Sequence, residues 1–381
     1  MIRYLVKRAV SGLIALFIFA TFLFFVAQLL IPGDFVSQLM IPAEEKAALR
    51  RELGLDLPLW QQYLIWLQSF VSGGFASLFV ASDALLRTLM VFVFGSGIAF
   101  LFGQWLGKVT AWRGRGIVSG AMTFGAIAFY TTFPPWLAFL VVQFLVWQIG
   151  WSRTALDVRL WRTSPLSHQT VMAVMIVSVL TLAITLAIAN RWLRRRHGRS
   201  LPLLLVLVLL AAGAIGVWFA FGFGPQALDI LRVAVIPILT YALLAFGEIT
   251  LVMQTTMRDT LNEDYIQTAR AKGLPDRVVR DRHAARNAWL PVLNRLVTSL
   301  PYLLAGLVII EATLGKVGRV VWFGTGSVLF GGLLAQNMTV VMQGILQIGL
   351  VSLMARLILD VVQAYLDPRI RYATRSAEKR A

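Results

Sequence analysis

Side chains that could do chemistry are few in this sequence and lie far apart. Its three histidines, His168, His197 and His283, are separated by long apolar stretches, and cysteine is absent, so neither a thiol nucleophile nor a cysteine-based metal site can form. No His-Glu-x-x-His, Gly-x-Ser-x-Gly or Gly-x-Gly-Asp pattern occurs. Neither Gly107-Lys108-Val109 nor Gly315-Lys316-Val317 belongs to the Gly-x-x-x-x-Gly-Lys-Ser/Thr run that cradles nucleotide phosphates. Catalysis, metal binding and ATP binding are therefore not expected of this chain, and no cofactor is implied. What remains is a set of ionisable residues inside apolar stretches. Charge in hydrocarbon is costly, so such residues pair with one another or face a water-filled cavity. Glu248, Arg295 and Glu311 are candidates to line a pore. Arg356 and Asp360, four apart, share one helix face and are expected to neutralise each other, with a proton relay as the lesser reading. Pro134 and Pro135 interrupt another apolar stretch; two missing amide donors kink or open a helix, either as the wall of a substrate passage or as a packing kink.

Only a bundle in lipid could position these residues. The chain is 58% hydrophobic and 14% charged over 381 residues, too little polar surface to cover a water-soluble domain. A spanning helix needs about 20 apolar residues, and eight stretches qualify: 9–31, 84–107, 117–149, 171–190, 201–223, 233–253, 289–313 and 338–366. The first follows Arg3, Lys7 and Arg8 and runs too long for a cleaved signal, so it is read as a retained anchor. With eight spans both termini lie on one side, and the segments on that side hold 23 of the 35 Lys and Arg residues, which makes it the cytoplasmic side. The net charge of +17 is spread over five loops instead of forming one stripe, which excludes nucleic acid as partner.

The expected organisation is an all-α polytopic membrane protein in four parts. Residues 1–31 form the anchor and 32–83 an extracytoplasmic segment. Within that segment Leu49, Leu53, Leu55, Trp60, Tyr63, Leu64 and Leu67 describe two short amphipathic helices broken at Gly54 and Pro58. Residues 84–366 form the transmembrane domain and 367–381 a cytoplasmic tail. Inside the domain, the cytoplasmic loop at about 254–288 has its own punctuation. Asn262 or Asp264 can cap a helix that runs to Lys272, Gly273 can end it in a left-handed conformation, and Pro275 can open the next.

That loop reads Tyr265-Ile266-Gln267-Thr268-Ala269-Arg270-Ala271-Lys272-Gly273-Leu274, then Arg282-His283-Ala284-Ala285-Arg286-Asn287. It resembles the EAA coupling loop of ABC-importer permeases, in particular the dipeptide, oligopeptide and nickel branch. Gln267, Thr268, Ala269 and Gly273 match the family spacing with Gln and Thr substituted, and His283 to Arg286 stands at its far end. Ile31-Pro32-Gly33-Asp34, Gly54-Leu55-Asp56-Leu57-Pro58 with Gln62-Tyr63 and Trp66, and Leu366-Asp367-Pro368-Arg369-Ile370-Arg371-Tyr372 are similar to the same branch. The resemblance covers residues 1 to about 160 and 233–372. It departs at Gly73-Gly74-Phe75, which lacks an expected Asp, and at Leu314-Gly315-Lys316-Val317-Gly318, where a Pro-Gly-Leu-Gly turn would be expected.

The resemblance implies a type I importer domain of about eight spans, six family-like plus an inserted pair at about 171–223. It further implies a bacterial cytoplasmic (inner) membrane, a second homologous permease subunit, two ABC ATPase subunits and an extracytoplasmic substrate-binding protein. Gln267, Thr268, Ala269, Arg270, Lys272, Gly273, His283, Arg286 and Asn287 would form the ATPase-coupling loop. The solute it implies is a peptide, with nickel or another small solute as alternative. The rival reading, a secondary transporter, lacks the internal repeat such carriers show.

Overall fold

The computed structural model describes residues 2–30, 35–69, 72, 83–114, 116–151, 155–197, 201–315 and 322–366. The Ile31-Pro32-Gly33-Asp34 and Gly73-Gly74-Phe75 motifs, residues 316–320 and the tail 367–381 lie outside the described residues.

Lipid offers no partner for a backbone amide, so the chain satisfies its polar groups within helices, and among the described residues there is no strand. The helices are α1 (Ile2–Leu30), α2 (Phe35–Gln38), α3 (Ala43–Glu52), α4 (Leu59–Ser69), α5 (Asp83–Arg113), α6 (Ile117–Thr131), α7 (Pro134–Val142), α8 (Val158–Arg162), α9 (His168–His197), α10 (Leu203–Ala220), α11 (Gly224–Leu261), α12 (Asp264–Ala271), α13 (Asp276–Val278), α14 (Ala285–Leu314), α15 (Thr325–Leu334) and α16 (Met338–Leu366). Seven are long and apolar enough to cross a bilayer, and α6 with α7 and its π-helical continuation to Gln148 forms a pair bent by 109°.

Hydrogen bonds show that this bent pair runs the length of the bundle. Near its start Ser119 Oγ donates to the Thr110 carbonyl, 2.9 Å, and Gln254 Nε2 donates to Thr123 Oγ1, 2.9 Å. Just past its end Trp151 Nε1 donates to the Arg232 carbonyl, 3.1 Å. Gln254 and Arg232 sit on the single helix α11, about 33 Å apart at the helical rise. The pair therefore counts as one crossing, and the break falls at Thr132 and Phe133, immediately before Pro134.

At the centre α5 packs along α11 through a seam of small residues. Gly95, Ala99, Gly103 and Gly107 recur every four residues on one face of α5, and this is the small-residue spacing that lets membrane helices approach closely. A Cβ at Gly103 would meet the Phe246 carbonyl and Ile249, and one at Gly107 the Thr250 carbonyl and Met253. At the periphery α1 lies on α16, where Gly12 accommodates Leu353 and Gly349 accommodates Leu16. The short helices α3 and α4 flank Gly54, whose φ is +69°. Tyr63 of α4 meets Thr21 of α1, oxygen to oxygen 3.0 Å, and packs on Phe24 and Phe25.

Candidate functional site

Between the 38-residue helix α11 and the 30-residue helix α14 the chain makes an elbow. Helix α12 ends in a Schellman arrangement: the Gly273 amide donates to the Arg270 carbonyl, 2.9 Å, and the Leu274 amide to the Ala269 carbonyl, 3.4 Å. Gly273 holds φ at +71°, a conformation that costs a residue bearing a Cβ. Pro275 then opens α13, and a π-helical turn at Val279–Ala284 leads into α14.

One face of α12 is committed to its own chain. Ile266 and Ala269 are buried in the core shared with Val279 and Ala284 of the returning turn. The opposite face, with Gln267, Thr268, Arg270, Lys272 and Gly273, is exposed, as are Arg286 and Asn287 beyond the turn, while His283 is half-buried. Ala269, which the resemblance places in the coupling loop, is buried and seats the elbow on itself.

Four contacts brace the elbow, two within it and two to α5. Asn287 donates to the Tyr265 hydroxyl, 2.8 Å, and the Arg270 guanidinium lies over Trp112, 5.4 Å from the ring centre. Asp281 takes an ion pair from Arg280, 2.8 Å, and another from Lys108 of α5, 3.6 Å. Burial pushes the Asp281 carboxyl up, but the Arg280 hydrogen bond and the Lys108 charge outweigh it and hold the group below the ordinary carboxylate value. Burial also raises the Tyr265 hydroxyl.

Deeper in the bundle, α11 and α14 are joined by charge. Arg295 Nε donates to Glu248 Oε1, 3.0 Å; the Glu248 side chain is 6% exposed and that of Arg295 55%. An exposed guanidinium within a spanning helix, here in the part of α14 nearer the elbow, needs water or a protein partner beside it. Tyr302 and Tyr130 lie nearby, ring centres 6.2 Å apart. Pro134 and Pro135 are half-buried at the break of the bent pair, between exposed Phe133 and Trp136.

Two sequence expectations are corrected. Glu311 is fully buried inside the chain and faces no passage. Its carboxylate accepts from Thr88 Oγ1 of α5, 2.8 Å, and from the Gly326 amide, 3.0 Å, while the Thr325 amide donates to Thr88, 2.8 Å. A carboxylate there meets the positive end of α15, and Gly324 leaves the room it needs, since a Cβ would overlap it. Asp360 pairs with Arg8 of α1, 2.8 Å, and the exposed Arg356 adds a second, smaller favourable charge. Helical spacing suggested the local partner; packing of α1 on α16 supplied a closer one.

Some contributors were missed. Thr88 is a hydroxyl within a span and gave no distinct signal. Asp229 is buried and accepts from the Asp157 amide, 2.9 Å, and from Trp161 Nε1, 3.0 Å, tying α8 to α11. The Gly95-Ala99-Gly103-Gly107 spacing was a readable signal for the α5 and α11 contact.

The described residues form an all-helical, membrane-integral bundle with a structured elbow whose exposed face is basic. The family model described as "Binding-protein-dependent transport system inner membrane component" matches residues 197–372, and its N-terminal companion matches residues 1–84. Among similar proteins, the dipeptide transport system permease protein DppB of Lactococcus lactis subsp. cremoris is 24% identical over 380 residues, covering 97% of this chain and 100% of the relative. A putative peptide permease of Brucella ovis is 27% identical over 385 residues, covering 97% and 99%. The oligopeptide transport system permease protein OppB of Haemophilus influenzae is 25% identical over 372 residues, covering 98% and 100%. The chain belongs to the inner membrane components of binding-protein-dependent transport systems and is an ABC-importer permease of the peptide branch. It is a transport subunit and not an enzyme: its partners are ATPase subunits, which hydrolyse ATP, and a substrate-binding protein. The family match takes in α10, which sequence reading had set apart with α9 as an added pair.

Proposed function

We propose that the elbow is the joint through which an ATPase drives this permease, and that the solute is a short peptide. The observation that carries the first part is the two-faced α12. Ile266 and Ala269 lock it to the returning turn, while Gln267, Thr268 and Lys272 are exposed for a groove on the motor and Arg270, lying over Trp112, borders them. Arg286 and Asn287 extend that face, and His283, in the returning turn, is half-buried. Because α11 is about 57 Å long at the helical rise, displacement at its elbow end is carried across the bilayer, and α14 moves with it through the Glu248–Arg295 pair. Rigid levers that meet at a short joint suit alternating access.

The peptide assignment follows the names of the relatives. In this reading a second homologous permease completes the pathway, two ATPases sit below and both termini are cytoplasmic, an orientation supported by eight crossings and the distribution of Lys and Arg. The residues 1–31, 32–83, 84–366 and 367–381 then divide into anchor, external segment, transmembrane domain and tail. Arg295, Glu248, Pro134 and Pro135 face the passage. Gly273→Glu tests the joint: it should leave membrane insertion intact and abolish uptake while ATP hydrolysis continues. Wild-type uptake by that variant would defeat the assignment.

A further inference from the structure

Midway along the bundle α5, α9, α11, α14 and α16 line an open apolar furrow of about 710 Å³. Ile176 and Leu180 of α9 and Met354 and Ile358 of α16 are among its lining residues, with Trp289 near the elbow end of α14. Ser96, among the few polar lining groups, is turned to the Tyr241 hydroxyl, 3.3 Å.

Helix α9 continues below the furrow into a basic end. Arg194, Arg195 and Arg196 are exposed there, and residues 168–223 contain no Asp or Glu to neutralise them. At 100° per residue Arg194 falls on the same line as Ile176, about 40° from Leu180, and Arg195 lies about 60° to the other side of Leu180. Both therefore sit beneath the furrow wall, whereas Arg196 points away and lies over Trp192, 5.1 Å from the ring centre. Leu180 is about 18 Å from His168 along the helix and Arg194 about 21 Å beyond Leu180. That places the furrow near the bilayer midplane and the arginines at headgroup depth. Trp192, 53% exposed, is an interfacial anchor at the same level. The general excess of Lys and Arg on one side asks only that charge lie on that side; it does not require charge aligned under an apolar slot.

We propose that this furrow and the arginines below it hold an anionic phospholipid, one acyl chain lying along Ile176 and Leu180 and the headgroup phosphate meeting Arg194 and Arg195. The assignment of the cytoplasmic leaflet rests on the orientation proposed above; retention of the lipid does not.

The test reconstitutes the complete importer into nanodiscs of mixed phosphatidylcholine and phosphatidylglycerol, re-extracts it in detergent, and measures the retained lipids by mass spectrometry. Phosphatidylglycerol should be enriched over its bulk proportion about fivefold or more, the scale of one basic residue at an anionic surface. The R194Q/R195Q variant should lose that enrichment, R194K/R195K should keep it, and I176W should lower total retained lipid. A wild-type ratio equal to bulk, or enrichment unchanged in both R194Q/R195Q and I176W, overturns the proposal. So does quantitative cross-linking of Leu180→Cys to the second permease, which would put protein in the furrow. Labelling of Arg194→Cys from either side of the membrane tests the orientation separately.

Discussion

At Gly273 a Cβ would meet nothing within 4 Å, yet φ is +71°. Whatever a side chain costs there is therefore conformational and not steric. An alanine in the left-handed region loses about 1–2 kcal/mol, asparagine less because it tolerates that region, and a β-branched residue more. The strain is released by unravelling the last turn of α12, which breaks the Gly273 to Arg270 and Leu274 to Ala269 hydrogen bonds. A loss of that size shifts the ratio of formed to unravelled elbow about five- to thirtyfold. Amide exchange across 264–274 in the purified complex should rise in the order Gly, Asn, Ala, Val at position 273, and solute transported per ATP hydrolysed in proteoliposomes should fall in the same order. If Gly273→Val exchanges and transports like wild type, the elbow does not depend on its left-handed glycine and the reasoning fails.

Other consequences follow from the same contacts. Arg295→Gln leaves the buried Glu248 carboxylate without its partner and should lower thermal stability by about 1–2 kcal/mol, less than a fully buried pair because Arg295 is half-exposed; Glu248→Gln in the same chain should restore most of it, and a double-mutant cycle reads the coupling. Glu311→Ala, which orphans the buried Gly326 amide and leaves the Thr88 hydroxyl only its Ala84 and Thr325 partners, should cost about 1–3 kcal/mol and loosen α15, seen as faster proteolysis near 322–334. The Asp281 carboxyl lies below its ordinary value, so its contribution to the elbow is complete above the usual carboxylate range and declines only as pH falls through the depressed value. The difference in melting temperature between wild type and Asp281→Asn should thus be flat from neutral pH to about 5 and shrink only in stronger acid; a difference that disappears near pH 6 would contradict this.

The spans were legible because lipid demands long apolar runs, and the elbow because Gly273 and Pro275 are local punctuation. Pairings between distant residues were not legible. Glu248 and Arg295 are 47 positions apart and Thr88 and Glu311 are 223 apart, so only the packing of α5, α11 and α14 brings them together. Glu311 was misplaced for a related reason: in a membrane sequence apolar neighbours surround passage-facing and enclosed residues alike. For Asp360 the helical neighbour Arg356 was visible, and Arg8 on a separate helix was not.

The most direct measurement uses the natural absence of cysteine in this chain. Gln267→Cys and Thr268→Cys, each placed alone on the exposed face of α12, are oxidised in the assembled importer with single cysteines in the ATPase, with and without nucleotide. Rapid disulfide formation with the ATPase, changing in extent when nucleotide binds, is the expected result. Cysteines at both positions that never link to the ATPase, and that react with a water-soluble maleimide as freely in the full complex as in the isolated chain, would show that the elbow touches no motor.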